Sequence, residues 1–159
     1  MCQAHQLSAI FNKNIHPTSD AITDYMFAQD ISLTNQSSST CTLTGWVDFT
    51  MVGENYICIN PPPPFPPNCH PPDHSAHLDQ KISRLELGTP QLHIVHPGEH
   101  VSFSVLWTPA VVPDCTTGWP VPYAIDLHIS GDQKTIPLQP VLIQPCRGEV
   151  AITELGINV

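Results

Sequence analysis

Residues 100–107, HVSFSVLW, alternate apolar and small polar side chains with a period of two, and no other feature constrains the fold of this chain as tightly. That period places Val101, Phe103, Val105 and Trp107 on one side of a strand and Ser102 and Ser104 on the other. A helix would scatter the same residues around its circumference. Residues 40–51, TCTLTGWVDFTM, repeat the pattern, with Cys41, Leu43, Gly45, Val47, Phe49 and Met51 on the inward face. They read as one long half-buried strand. Further strands are expected over 6–11, 25–33, 56–59, 81–87, 91–95, 123–129, 135–143 and 149–157. Turn-forming runs such as Thr34-Asn35-Gln36-Ser37-Ser38-Ser39 and His96-Pro97-Gly98-Glu99 separate them. Apolar repeats at helical spacing are missing apart from a weak turn around 20–26.

The expected fold is therefore all-β, a sandwich of two antiparallel sheets. A chain of 159 residues suits a single domain, 1–159, around one core. Residues 60–77 stand apart. They are too proline-rich to pair as a strand, because proline has no N–H to donate, and are expected to project from one end as a loop. Within them Pro61-Pro62-Pro63-Pro64-Phe65-Pro66-Pro67 should adopt the extended polyproline II conformation, a ready ligand for aromatic grooves, with Phe65 as its contact residue. A rigid spacer is the plainer use of the same run.

Six cysteines, an even number and not in CxxC pairs, read as three disulfides formed in an oxidising compartment. Loop topology ranks the alternative pairings. Cys58 and Cys69 bracket the proline-rich segment and form a local staple; Cys2 then pairs with Cys41 and Cys115 with Cys146. Each closure would stabilise the fold by roughly 3–4 kcal/mol in the chain-entropy picture. Cys2 could instead carry a lipid, which would leave one thiol unpaired. Met1-Cys2 follows no basic and apolar leader, which says nothing about export. Asn35-Gln36-Ser37 fits the N-glycosylation pattern, relevant only in a eukaryotic secretory host.

The early Cys, the run LTNQSSSTCTLTGWVDF, a Pro-Gly turn before VSFSVLW, Asp114-Cys115 and the closing Pro145-Cys146 together resemble secreted bacterial immunoglobulin-like domains of unknown function. The resemblance implies an immunoglobulin-like sandwich, and it transfers no catalytic residue because its motifs are turns, half-cystines and strands. The chain departs from it at Trp46-Val47-Asp48, where members have an aromatic followed by Pro, and in the inserted proline-rich loop.

Charge and motif content narrow the function. Five Lys+Arg against 14 Asp+Glu leave a net charge of −9, which gives nucleic acid and anionic lipid nothing to hold. No apolar run approaches the ~18 residues of a membrane helix. Serines occur in no GxSxG elbow, and glycines form no phosphate-cradling loop, so an enzyme is not expected. Nine histidines are the remaining chemistry. His70, His74 and His77 in CHPPDHSAH are close enough in sequence to converge on Zn or Cu, and His93, His96 and His100 form a second, weaker cluster. Solvated polar filler is the alternative for both, and no cofactor is otherwise implied.

The reading is a non-catalytic binding or structural module, secreted, periplasmic or anchored at the cell surface, whose partner is a protein or another copy of itself. Its alternatives are a self-assembling extracellular subunit, pairing through 1–14 or 151–159, and an exoplasmic metal-binding protein.

Overall fold

The alternation of 100–107 becomes the central strand of the larger of two sheets in the computed structural model of the chain. The structure describes residues 1–12, 14–19, 22, 24–55, 58–59, 62–64, 68–69, 73–77, 80–109, 122–139, 141 and 143–159. Its strands are β1 (Leu7–Phe11), β2 (His16–Pro17), β3 (Phe27–Asn35), β4 (Cys41–Leu43), β5 (Asp48–Asn55), β6 (Cys58–Ile59) and β7 (Asn68–Cys69). They continue with β8 (Asp73–His77), β9 (Lys81–Arg84), β10 (His93–Val95), β11 (His100–Pro109), β12 (Pro122–His128), β13 (Thr135–Leu138) and β14 (Pro145–Ile152).

The larger sheet runs β1-β3-β11-β14-β9, with β2 beside β3; the smaller runs β13-β12-β5-β8. The ribbons β10-β4 and β6-β7 accompany them. Among the described residues every pair is antiparallel except β14 with β9, which run parallel from Glu149 opposite Lys81 to Ile152 opposite Arg84. The expected purely antiparallel arrangement is corrected at this one edge. Ile31, Leu33, Phe103, Val105, Val150 and Ile152 of the larger sheet and Phe49, Met51, Ile125, Leu127, Ile136 and Leu138 of the smaller belong to one buried cluster, so the fold is sandwich-like. Each such side chain contributes roughly 1.5–3 kcal/mol by leaving water.

Three expectations change. Residues 40–51 are not one strand: Gly45, at φ +80°, turns the chain, so β4 pairs with β10 while β5 pairs with β12. Of the inward set, Cys41, Leu43, Val47, Phe49 and Met51 are all buried, while Gly45 is half-buried. Residues 60–77 are not devoid of strand, because the proline-free stretch DHSAH forms β8 and pairs with β5, and Asn68–Cys69 pairs with β6. The strand expected over 149–157 ends at Ile152, and Gly156, at φ +86°, turns the chain back across β11.

That return buries the second face of β11. Gly156 N–H donates to the Ser102 carbonyl at 2.7 Å and Val159 N–H to Ser104 Oγ at 3.0 Å. Ser104 Oγ in turn donates to Asp30 Oδ1 at 2.5 Å. Ile22, Tyr25, Leu85 and Val159 cover Ala28, Leu106 and Ala151 on the same side. Ser104 therefore lies opposite the core face, as the alternation requires, yet out of contact with solvent.

Candidate functional site

The sites expected from sequence fall into two groups. His70 and Phe65 lie outside the described residues, and so does Cys115. His74 and His77 lie on β8, the edge strand of the smaller sheet, where His77 is in register with Val52. Cys58 stands directly opposite Cys69 in the β6-β7 ribbon. The side chains of these four residues are outside the described part of the molecule. Cys2 and Cys41 are joined, with Cα atoms 4.8 Å apart, both within the core cluster. Cys146 is also disulfide-bonded, and no described cysteine is free.

The second histidine cluster is divided among separate tasks. His93 Nε2 donates to the Leu155 carbonyl at 2.9 Å, while His96 Nδ1 meets Thr40 Oγ1 at 3.0 Å. Among the described residues no three His, Cys, Asp or Glu side chains gather as a metal-binding group.

Asn35 shows why a glycosylation pattern needs a structure. Its Nδ2 donates to the Ser39 carbonyl at 2.8 Å and the Val95 carbonyl at 2.9 Å. Its Oδ1 accepts from Ser37 N–H at 3.0 Å and Ser37 Oγ at 2.8 Å. The side chain is fully buried. With both amide hydrogens committed, Asn35 ties the end of β3 to the turn and to β10 and presents no nitrogen to a glycan.

A cavity of about 270 Å3 opens near Gly45, walled by Trp46, Asp48, Arg84 and His128 among others. Three of its polar side chains already have partners. Arg84 bonds Asp48 at 2.6 Å and lies 5.6 Å from the Trp46 ring centre, and His128 Nε2 meets Thr50 Oγ1 at 2.8 Å. The exposed Arg84–Asp48 pair contributes at most about 1 kcal/mol.

A second cavity, about 220 Å3, lies between 88–93 and the 154–157 turn, with Thr89, Gln91, His93, Glu154 and Ile157 on its wall. Glu154 is only 1% exposed, and among the described residues its buried Oε1 has no hydrogen-bond partner. Buried polar atoms are nearly always paired, and a carboxylate is the costliest to leave otherwise. Gly156 admits the His93 ring, because a Cβ there would stand 2.5 Å from His93 Cε1. Since the Leu155 carbonyl only accepts, His93 Nε2 carries the hydrogen and Nδ1 of the neutral ring keeps a lone pair. The sequence carries one signal for Glu154: Val150, Ile152 and Glu154 share one alternation face, so a carboxylate follows two core residues.

No family model, curated protein or solved structure matches the chain.

Proposed function

We propose that the chain is a non-catalytic binding module, secreted or held at the cell surface, built on an immunoglobulin-like sandwich with three disulfides. The observation that carries this reading is the Cys2–Cys41 bond inside the core, together with the bonded state of Cys146. Such bonds persist where thiols are not kept reduced. Closing a loop across a sequence separation of 39 restricts the unfolded chain by about 4 kcal/mol, a large share of a domain's net stability.

Strand order supports the immunoglobulin-like part. On this reading β1, β3 and β11 would correspond to strands A, B and E, and β13, β12, β5 and β8 to G, F, C and C′. Two departures accompany it. β14 stands between β11 and β9, where D would adjoin E, and neither β3 nor β12 carries a cysteine for the usual B–F bridge. The resemblance to secreted bacterial immunoglobulin-like domains rests on the motif residues, of which Asn35, Ser37 and Ser39 form the hydrogen-bonded turn described above. The Cys58–Cys69 register supports the second bridge, and the third would join Cys146 to Cys115. The cavity at Glu154 supplies the binding surface.

The test is oxidation-dependent folding. Protein exported to an oxidising compartment should unfold cooperatively, and a reductant should lower its midpoint by tens of degrees or abolish the transition. Equal stability with all six cysteines reduced would overturn the reading.

A further inference from the structure

We infer that the cavity at Glu154 is a binding site for a primary ammonium group, the head of a small alkyl amine or of a lysine side chain. The inference rests on the binding-module reading and names the chemistry of its ligand. Four observations carry it.

Glu154 places a carboxylate oxygen with no partner among the described residues inside a protein wall, at 1% residue exposure. A charge enclosed in this way destabilises the fold that holds it, and no described group offsets that cost. A cation that brings its own hydrogen-bond donors does.

The cavity is also the right size. About 220 Å3 is several times the ~30 Å3 of one water and below the ~300 Å3 at which drug-sized pockets begin, so a side-chain-sized group fits.

Acceptors on the wall select the cation. Beside Glu154 stand the Leu155 carbonyl, with one lone pair left after the His93 bond, and the Thr89 hydroxyl and Gln91 amide. These residues come from two separate segments that face each other across the cavity. Three tetrahedral N–H donors suit such a set, whereas a planar guanidinium fork wants both oxygens of one carboxylate side by side. A bare divalent ion is poorly served, because the wall offers one carboxylate and one imidazole.

The long-range field points the same way, since a net charge of −9 concentrates cations at the surface and repels anions. Ile157, also on the wall, gives the methylene stem an apolar contact.

The site is testable with defined probes on the oxidised full chain. Titration calorimetry with n-butylammonium chloride should show saturable one-site binding, and 1-butanol, which matches its stem but lacks the charge, should show none. Glu154→Gln removes the charge with little change in shape and should weaken butylammonium about tenfold or more. Gly88→Ala is the second variant. A Cβ there would sit 3.8 Å from Glu154 Oε2 and 3.8 Å from Ile157 Cδ1, ordinary contact distances, so it folds while placing a methyl over the carboxylate. It should weaken binding in the same direction.

Nα-acetyl-lysine methylamide distinguishes the two sources of the ammonium. Binding tighter than butylammonium assigns the site to a lysine of a protein partner, and weaker binding assigns it to a free amine; both sustain the inference. No saturable binding of either probe, or equal binding by wild type and Glu154→Gln, overturns it. The melting transition and disulfide state are read on the same samples. Loss of ammonium binding in an intact oxidised fold thus rejects this inference alone, and a fold indifferent to reduction rejects the module reading.

Discussion

Replacing Asn35 tests the hydrogen-bonded junction on which the turn and the β10-β4 ribbon depend. Asn35→Ala removes four hydrogen bonds of 2.8–3.0 Å at once. They are not equal in consequence. Ser37 and Ser39 lie near solvent, so their freed groups regain water and cost a few tenths of a kcal/mol each. The Val95 carbonyl belongs to a residue only 2% exposed, and losing the Asn35 donor there, where water does not replace it, costs about 1–3 kcal/mol. With the vacated side-chain volume the loss is about 2–4 kcal/mol, or roughly 5–15 °C in Tm for a chain of this size. Asn35→Asp sharpens the test. It keeps shape and the Oδ1 acceptor but sets an oxygen against two carbonyls that need a donor, so at neutral pH it should be at least as destabilising as Asn35→Ala. Ser37→Ala should stay within about 1 kcal/mol of wild type. Thermal and urea unfolding with disulfides intact measures all three. Asn35→Asp within about 0.5 kcal/mol of wild type would refute the reasoning, since volume rather than donation would then explain the burial.

Other consequences follow from the same contacts. Replacing Cys2 and Cys41 together by Ser should cost about 4 kcal/mol, read as a lower urea midpoint with an unchanged fold at low denaturant. Glu154→Met, which removes an unpartnered buried carboxylate at similar length, should raise the stability of the ligand-free protein by about 1–3 kcal/mol; a loss of stability would show that Glu154 has structural work. Two groups set opposite pH limits. The N–H groups of Lys134 and Ala4 donate to the Asp132 carboxylate, at 3.0 and 2.7 Å, and hold it below its ordinary 3.8. Its contribution is therefore present above that value and disappears as pH falls through the depressed one, and Asp132→Asn should flatten stability below pH 3.8. The hydrogen bond to the Val159 main-chain oxygen raises His16 above 6.5, so its contribution is complete below 6.5 and is lost as pH rises through the higher value. His16→Ala should remove that alkaline slope, measured by melts from about pH 6 upward.

The legible part of this fold is what alternation alone determines. Val101, Phe103, Val105 and Trp107 are buried as their spacing requires, and of the inward set from Cys41 to Met51 all but Gly45, where the strand breaks, are buried. The break itself was hidden, because Val47, Phe49 and Met51 resume the same parity on a different sheet. Sheet partners are tertiary facts: nothing within 81–84 or 145–152 specifies that β9 and β14 run parallel. The proline content of 60–77 overshadowed Asp73–His77, five residues without proline whose backbone is free to pair. Of the expected bridges, Cys2 with Cys41 followed from loop topology and is present. Glu154 was obscured because a carboxylate on the alternation face of Val150 and Ile152 carries no sign, within the sequence, of the segment that covers it. Its burial depends on the return of 153–159 across β11, which follows from the backbone turn at Gly156.

The most direct test of the account is peptide mass mapping of the exported protein, digested under non-reducing conditions at low pH to prevent exchange. It should yield three linked pairs, Cys2 with Cys41, Cys58 with Cys69 and Cys115 with Cys146, and no free thiol. Free thiols at Cys58 and Cys69, or Cys146 linked elsewhere than to Cys115, would contradict it.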